Sequence, residues 1–287
     1  MQYRIRLGVP LDDVLAQVRA RVTEAARAGA VLVVLPELFV LDGWPALVDD
    51  EPAYVRSVAE TVSPTVLETL RALARSRGVA ILGGSMPESR DGRLYNTARL
   101  VFPDGREVRQ DKMFPTRWGR AMGMTPGDGL EVFDAPWGRS VILVCYDVEF
   151  PTLSARLGPE RPEVILVPSM TESVHGLNRV RWSAQARAVE HHAFVVIAGT
   201  VGRPQPSWQH FGQAVFLTPR SEGFPGVLNE GPLGAPGVVL GDLDLERLRA
   251  SRDRTGFYPA LDALRRTRDL DGVPALDAPS RPPDPPR

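Results

Sequence analysis

Lysine is almost missing from this chain: of 34 basic residues, Lys112 alone is not arginine. Cysteine is as scarce, with Cys145 the single thiol, and there are only four histidines. One thiol excludes an internal disulfide framework, and so few histidines leave no zinc site of ordinary ligand spacing to be read. We therefore expect chemistry that needs no metal. Charge of one sign is lacking as well, since 34 basic residues face 35 acidic ones for a net -1. That balance excludes a strong global pull toward nucleic acid or anionic lipid. Long apolar runs are absent: the opening MQYRIRLGVPLDDVL has no uninterrupted apolar segment of the signal-peptide kind, and no later stretch reaches bilayer-spanning length. The expectation is a soluble, cytoplasmic protein with a small-molecule partner, and with neither nucleic acid nor membrane.

What is present is enough apolar residue, 43% of 287, to bury the core of one large domain. Leu11, Val14, Leu15, Val18, Val22 and Ala25 recur at three- and four-residue steps and predict an amphipathic helix over 11–28 that Gly29 closes. VLVVL at 31–35 then reads as a buried strand ended by Pro36. The unit recurs: Val66, Leu67, Leu70 and Leu73 share a helical face, Gly78 follows, and AILGGS is a second strand. Residues 95–102 should return antiparallel beside it, and PDG at 103–105 has hairpin-turn chemistry from which REVRQ leads extended into Lys112. SVILVC, EVILVP, AFVVIAGT and GVVLGDLDL complete the expected strands, with a long helix over 177–190 and a short one from Glu246. Helices alternating with buried strands imply an α/β fold, and strands with polar positions such as TARLVF make its sheets mixed. We place one domain over residues 1–273 and a proline-rich, disordered or surface-draped tail over 274–287.

Three chemically different groups lie just past predicted strands, the edge at which open α/β sheets bind ligands. Cys145 closes VILVC, and Pro151 can start a helix soon after it; partial positive charge at a helix start would lower the thiol pKa and offer N–H groups to an oxyanion. Glu37 follows Val-Leu-Pro, where desolvation suits a carboxylate to general-base work. Lys112 is a compact ammonium kept in a chain that otherwise uses arginine, as expected if one donor must point at one atom. Each has a bland reading too: a small core cysteine, a solvated loop glutamate, a lysine retained by chance. Together they make a machine for acyl transfer from an amide. Glu37 takes the thiol proton and passes it to the leaving amine, Cys145 holds the acyl group as a thioester, and Lys112 with a backbone N–H stabilises the oxyanion.

LPELF around Glu37, QDKMFPTRWG around Lys112 and CYDVEFP around Cys145 resemble the three signature blocks of the carbon-nitrogen hydrolase (nitrilase) superfamily, in order and in spacing. The likeness continues through GGSMPES, LYNTARLVFPDG, TPGD, VPSMTES and RVRWSAQARAVEHHAFVV, so it spans residues 30–245. The resemblance implies a four-layer αββα sandwich with mixed sheets, a homodimer built through the outer helices and no cofactor. Tyr146-Asp147 after the thiol resembles the amidase and carbamoylase branches, which implies a small linear amide or N-carbamoyl substrate. It also implies that Trp118, Tyr146, Glu149, Met170 and Thr171 line the substrate pocket.

One departure stands out. Many members carry a second glutamate between the lysine and the TPGD block, whereas MFPTRWGRAMGMT has no acidic residue near Gly119 or Ala121, where it is expected. The role is vacant or passes to another group, with Glu149 the candidate, and without that carboxylate Lys112 should lose its proton more readily. A catalytically silent protein that binds a ligand or partner on the same fold is therefore the alternative reading, and a redox-responsive Cys145 is a third. His191 and His192 read as cations at a helix end. The arginines of 247–268, interrupted by Asp253 and Asp262, read as a solvated helical face, and GGS at 83–85 lacks the spacing of a phosphate loop.

Overall fold

Residues that recur with helical or strand periods in the sequence divide here between two apolar layers. The computed structural model describes residues 1–45 and 48–270. It opens with β1 (Gln2–Arg4), α1 (Leu11–Arg27) and β2 (Leu32–Val34). A helix absent from the sequence reading, α2 (Glu51–Ser57), is capped by Asp50 and runs through one widened turn into α3 (Ser63–Arg77). There follow β3 (Ala80–Arg90), β4 (Arg93–Val101) and β5 (Glu107–Asp111), an antiparallel meander with β2 parallel on its β3 edge.

Short α4 (Arg117–Ala121) and the hairpin β6 (Val132–Ala135) and β7 (Gly138–Ile142) lead to α5 (Pro151–Leu157) and β8 (Val164–Ser169). After α6 (Val174–Glu190) come β9 (Phe194–Gln205), β10 (Trp208–His210) and a second hairpin, β11 (Val215–Ser221) and β12 (Phe224–Glu230). Two helices, α7 (Leu245–Arg254) and α8 (Pro259–Leu270), finish the described chain. The larger sheet runs β12-β11-β9-β8-β7-β6, parallel from β9 to β7 and antiparallel at both ends, with β1 and β10 also on β9.

Period-two alternation shows how the sheets stack. On β3, Ala80 and Leu82 join Val141, Ile165 and Val167 of the larger sheet in one apolar cluster, whereas Ile81 joins Val18, Val22, Val66 and Leu70 of α1 and α3 in another. Beyond the larger sheet, Leu153 of α5 and Val180 and Ala184 of α6 close the first cluster. The result is an αββα sandwich with both sheets mixed. Leu70, Leu82 and Leu100 have no exposed surface, so truncating any of them to alanine would cost about 2–5 kcal/mol.

Three sequence expectations are corrected. GVVLGDLDL forms no strand: Gly237 alone bridges to Gln2, and the rest passes the sheet half-exposed, with Leu240 tied only by the Asn229 side chain. His191 and His192 are not cations at a helix end, because both are buried and burial holds each pKa down to about 4. The basic run is not simply a solvated face. Arg249 pairs with Glu163 at 2.6 Å, and Arg252 donates to the carbonyls of Pro162, His191 and His192. The domain end near residue 273 and the proline-rich tail at 274–287 lie outside the described residues.

Candidate active site

Glu37 leaves β2 along the β3 edge, where Leu35 N donates to Leu82 O, Leu38 N donates to Ser85 O, and Glu37 itself bridges to Ser85. This close approach explains the GGS segment. Gly84 has φ 57°, and a Cβ there would lie 1.8 Å from the Pro36 carbonyl oxygen. Only glycine lets the two backbones meet so tightly beneath the carboxylate. Lys112 follows β5, held by its N–H to Asn96 O at 2.8 Å and by its own carbonyl accepting from Gly127 N at 2.9 Å.

Cys145 lies three residues beyond β7 and opens a 3-10 turn, Cys145–Glu149. Its φ of 51° is left-handed, a conformation costing a non-glycine residue about 1–2 kcal/mol.

Glu37 and Lys112 are in direct contact, and Cys145 lines the same cavity. Lys112 Nζ lies 2.6 Å from Glu37 Oε1, with both side chains 4% exposed. Asn96 Nδ2 donates to the same oxygen at 2.9 Å, and Met170 N donates to Oε2 at 3.1 Å. The thiol faces Met170 O at 3.6 Å and accepts from Ser169 Oγ at 3.2 Å. Met170 therefore touches the base through its backbone N–H and the nucleophile through its carbonyl.

The charges correct two expectations. A helix start does not lower the thiol pKa: burial foremost, and then the Glu37 charge, push it up to about 12 against the opposing pull of Lys112 and Ser169. Nor does Lys112 shed its proton. Burial acts in that direction, but Glu37, Cys145 and Asp147 together outweigh it and raise its pKa. The resting arrangement is a neutral thiol beside a charged lysine.

Asp147 was missed as a functional residue. Almost wholly buried, it accepts from Phe114 N at 2.9 Å, Met113 N at 3.1 Å and Val144 N at 3.3 Å. It thus straps the loop after Lys112 to the segment entering Cys145, and Phe114 stacks on Phe150 across the same seam. Burial raises its pKa to about 6, with Lys112 and the backbone donors pulling the other way. Asn96, Asp147 and Ser169 all sit inside blocks that resemble the family, so block membership was the available signal.

Glu37, Lys112 and Cys145 line a cavity of about 720 Å³, and so do Trp118, Tyr146, Glu149, Met170 and Thr171. The structure brings all eight sequence-picked residues to one wall system, with Trp44 and Trp208 across it. Glu149 turns to Arg179 at 3.1 Å, and among the described residues Lys112 has no hydrogen bond to it. Gly119 and Ala121, where a second glutamate was expected, lie on α4, with Gly119 N held by Thr116 Oγ1. No cluster of three His, Cys, Asp or Glu side chains suited to a metal occurs among the described residues. In those residues, too, no helix is long and apolar enough to cross a membrane.

An αββα sandwich that gathers a carboxylate and an ammonium from one sheet and a thiol from the other around one cavity is a hydrolase architecture of the nitrilase kind. The chain belongs to the carbon-nitrogen hydrolase family, whose profile matches residues 2–253. It is 32% identical over 258 residues to the probable hydrolase YhcX of Bacillus subtilis, covering 88% of this chain and 50% of that protein, so it spans half of that relative's length. With the omega-amidase NIT2 of Xenopus tropicalis it shares 27% identity over 242 residues, 81% of this chain and 83% of the relative. Among solved structures it resembles the amidase from Nesterenkonia sp. AN1, with a TM-score of 0.72 and 25% identity over 88% of this chain and 95% of that one. That amidase was solved as a mutant with acrylamide added at its active-site cysteine. The Saccharomyces cerevisiae Nit3 fold superimposes with a TM-score of 0.72 at 21% identity, covering 89% and 93% of the two chains.

Proposed function

We propose that the chain hydrolyses the C–N bond of a small linear amide or N-carbamoyl compound through a thioester on Cys145, releasing ammonia. The observation that carries this reading is the buried contact of Glu37 with Lys112 beside the thiol, at the floor of one cavity. A thiol held neutral by burial cannot wait as a thiolate, so the base must act as the bond forms. Glu37 takes the Sγ proton while Sγ bonds to the carbonyl carbon. The oxyanion meets Lys112 Nζ and the backbone N–H beside Cys145 at the start of its turn. Collapse breaks the C–N bond, and the proton on Glu37 leaves with the amine. Water then attacks the thioester, giving its proton to Glu37, and the carbon–sulfur bond breaks as Sγ regains a proton.

The pocket residues Trp118, Tyr146, Met170 and Thr171 would hold the substrate, with Glu149 placed by Arg179. The amidase and omega-amidase names of relatives support the choice of an amide. On this reading the protein is a cytoplasmic homodimer that uses no cofactor. Ammonia release across an amide panel tests it, with Cys145→Ala as control and a thioester adduct sought by intact mass. Equal release by both proteins would refute the mechanism. The absence of an acidic side chain at Gly119 or Ala121 favours one second reading, ligand binding without turnover, and an adduct on Cys145 would reject that.

A further inference from the structure

Among the described residues two groups hydrogen-bond the Cys145 sulfur: the Ser169 hydroxyl at 3.2 Å and the Met170 carbonyl oxygen at 3.6 Å. They are opposite in character. The carbonyl can only accept, so it suits a thiol that still carries its proton and opposes a sulfur that has lost it. The hydroxyl can donate, and among the described residues it has no other hydrogen-bond partner. Ser169 is 4% exposed and ends β8, where its backbone pairs with Gly199, so the side chain has little freedom to leave. Among the described residues Lys112 Nζ hydrogen-bonds Glu37 and not the sulfur. Without its contact to Sγ, the buried Ser169 hydroxyl would be left unsatisfied.

We propose that Ser169 is a further catalytic residue of this site, donating a hydrogen bond to the Cys145 sulfur whenever that sulfur carries negative charge. The proposal rests on Cys145 acting as the nucleophile. A neutral thiol is a weak acceptor and a thiolate a strong one, so the bond strengthens only as charge develops, which is the condition for lowering a barrier. Charge develops on sulfur twice. It appears first as Glu37 removes the proton and Sγ attacks, and again when the thioester carbon–sulfur bond breaks and the electron pair returns to Sγ. Ser169 keeps its own proton throughout; Glu37 carries every proton that moves. One hydroxyl thereby serves both half-reactions, while the carbonyl opposite it keeps the resting thiol protonated.

The test reads thiolate directly. Alkylation of Cys145 by iodoacetamide at fixed pH 8 is followed by intact mass in the full-length protein, and kcat and KM are measured on an amide substrate. Ser169→Ala should slow alkylation about ten- to a hundredfold, the range of one hydrogen bond to a charged group. The same variant should lower kcat by a like factor with little change in KM. Ser169→Thr, which keeps the hydroxyl, should restore most of both. Alkylation of Ser169→Ala at the parent rate overturns the proposal, as does a folded Ser169→Thr that remains as slow as the alanine variant. If Ser169→Ala does not fold, Ser169→Val, which matches the threonine variant in shape but lacks its hydroxyl, is read identically. Alkylation needs no amide turnover, so a Ser169-dependent thiol in a protein that releases no ammonia upholds the Ser169 hydrogen bond to charged sulfur and sinks the amidase reading instead.

Discussion

Replacing Lys112 by arginine keeps the charge and changes only its shape, which makes it the sharpest perturbation of the site. The ammonium sits 2.6 Å from Glu37 Oε1 with each side chain 4% exposed, so no solvent is at hand to accommodate a wider group. A guanidinium spreads five donors over a plane and reaches further along its stem. It can still pair with Glu37, but its donors no longer converge on the point where the oxyanion forms. Losing one such donor costs about 2.7–4 kcal/mol of barrier, or about 10²–10³-fold in kcat. Added bulk costs a further 1–3 kcal/mol or so of folding stability. Lys112→Met is the contrast. It loses the donor and also strands a buried carboxylate, for a stability loss of about 3–5 kcal/mol. Single-turnover ammonia release gives the first quantity and urea unfolding the second. If Lys112→Arg stays within tenfold of the parent, diffuse positive charge suffices and the argument from a pointed donor is wrong.

Gly84→Ala places a Cβ 1.8 Å from the Pro36 carbonyl at φ 57°; we expect a loss of about 2–5 kcal/mol in urea unfolding and displacement of Glu37, with kcat falling more than KM rises. Stability within 0.5 kcal/mol or so of the parent would show that the two backbones part easily. His191, His192 and His210 are buried, with burial holding each pKa down to about 4 from 6.5. The unfolded chain then binds more protons than the native one below pH 6.5, so stability is complete above that pH and is lost as pH falls toward 4. The loss is on the order of 2–3 kcal/mol per ring, and a urea midpoint that stays flat across this window contradicts the burial argument.

Much of the site was legible because its three reactive groups stand just past strands, two of them apolar, and strand ends can be read from local pattern. The helices of 11–27 and 63–77 were legible for the same reason, each carrying one apolar stripe closed by a glycine. What local pattern could not show was partnership across the chain. Asn96 meets Glu37 over 59 positions, and Asp147 meets Phe114 over 33; neither side chain differs in isolation from a solvated turn residue. The thiol went astray for a related reason. The helix-start rule is local, whereas the burial and the Glu37 charge that dominate Cys145 arrive from other strands. GVVLGDLDL fails as a strand because hydrophobicity alone supplies no ladder partner; the hairpin of β11 and β12 already occupies that end of the sheet.

Asp147 binds two stretches of chain that carry the ammonium and the sulfur, and the Phe114–Phe150 stack seals the join. The two reactive groups consequently ride on one plate. A disturbance entering through the loop beyond Lys112 reaches the nucleophile without passing through substrate. Loop grafts meant to alter selectivity would therefore have to preserve the Met113 and Phe114 amides that hold this plate, or forfeit the alignment they were meant to refine.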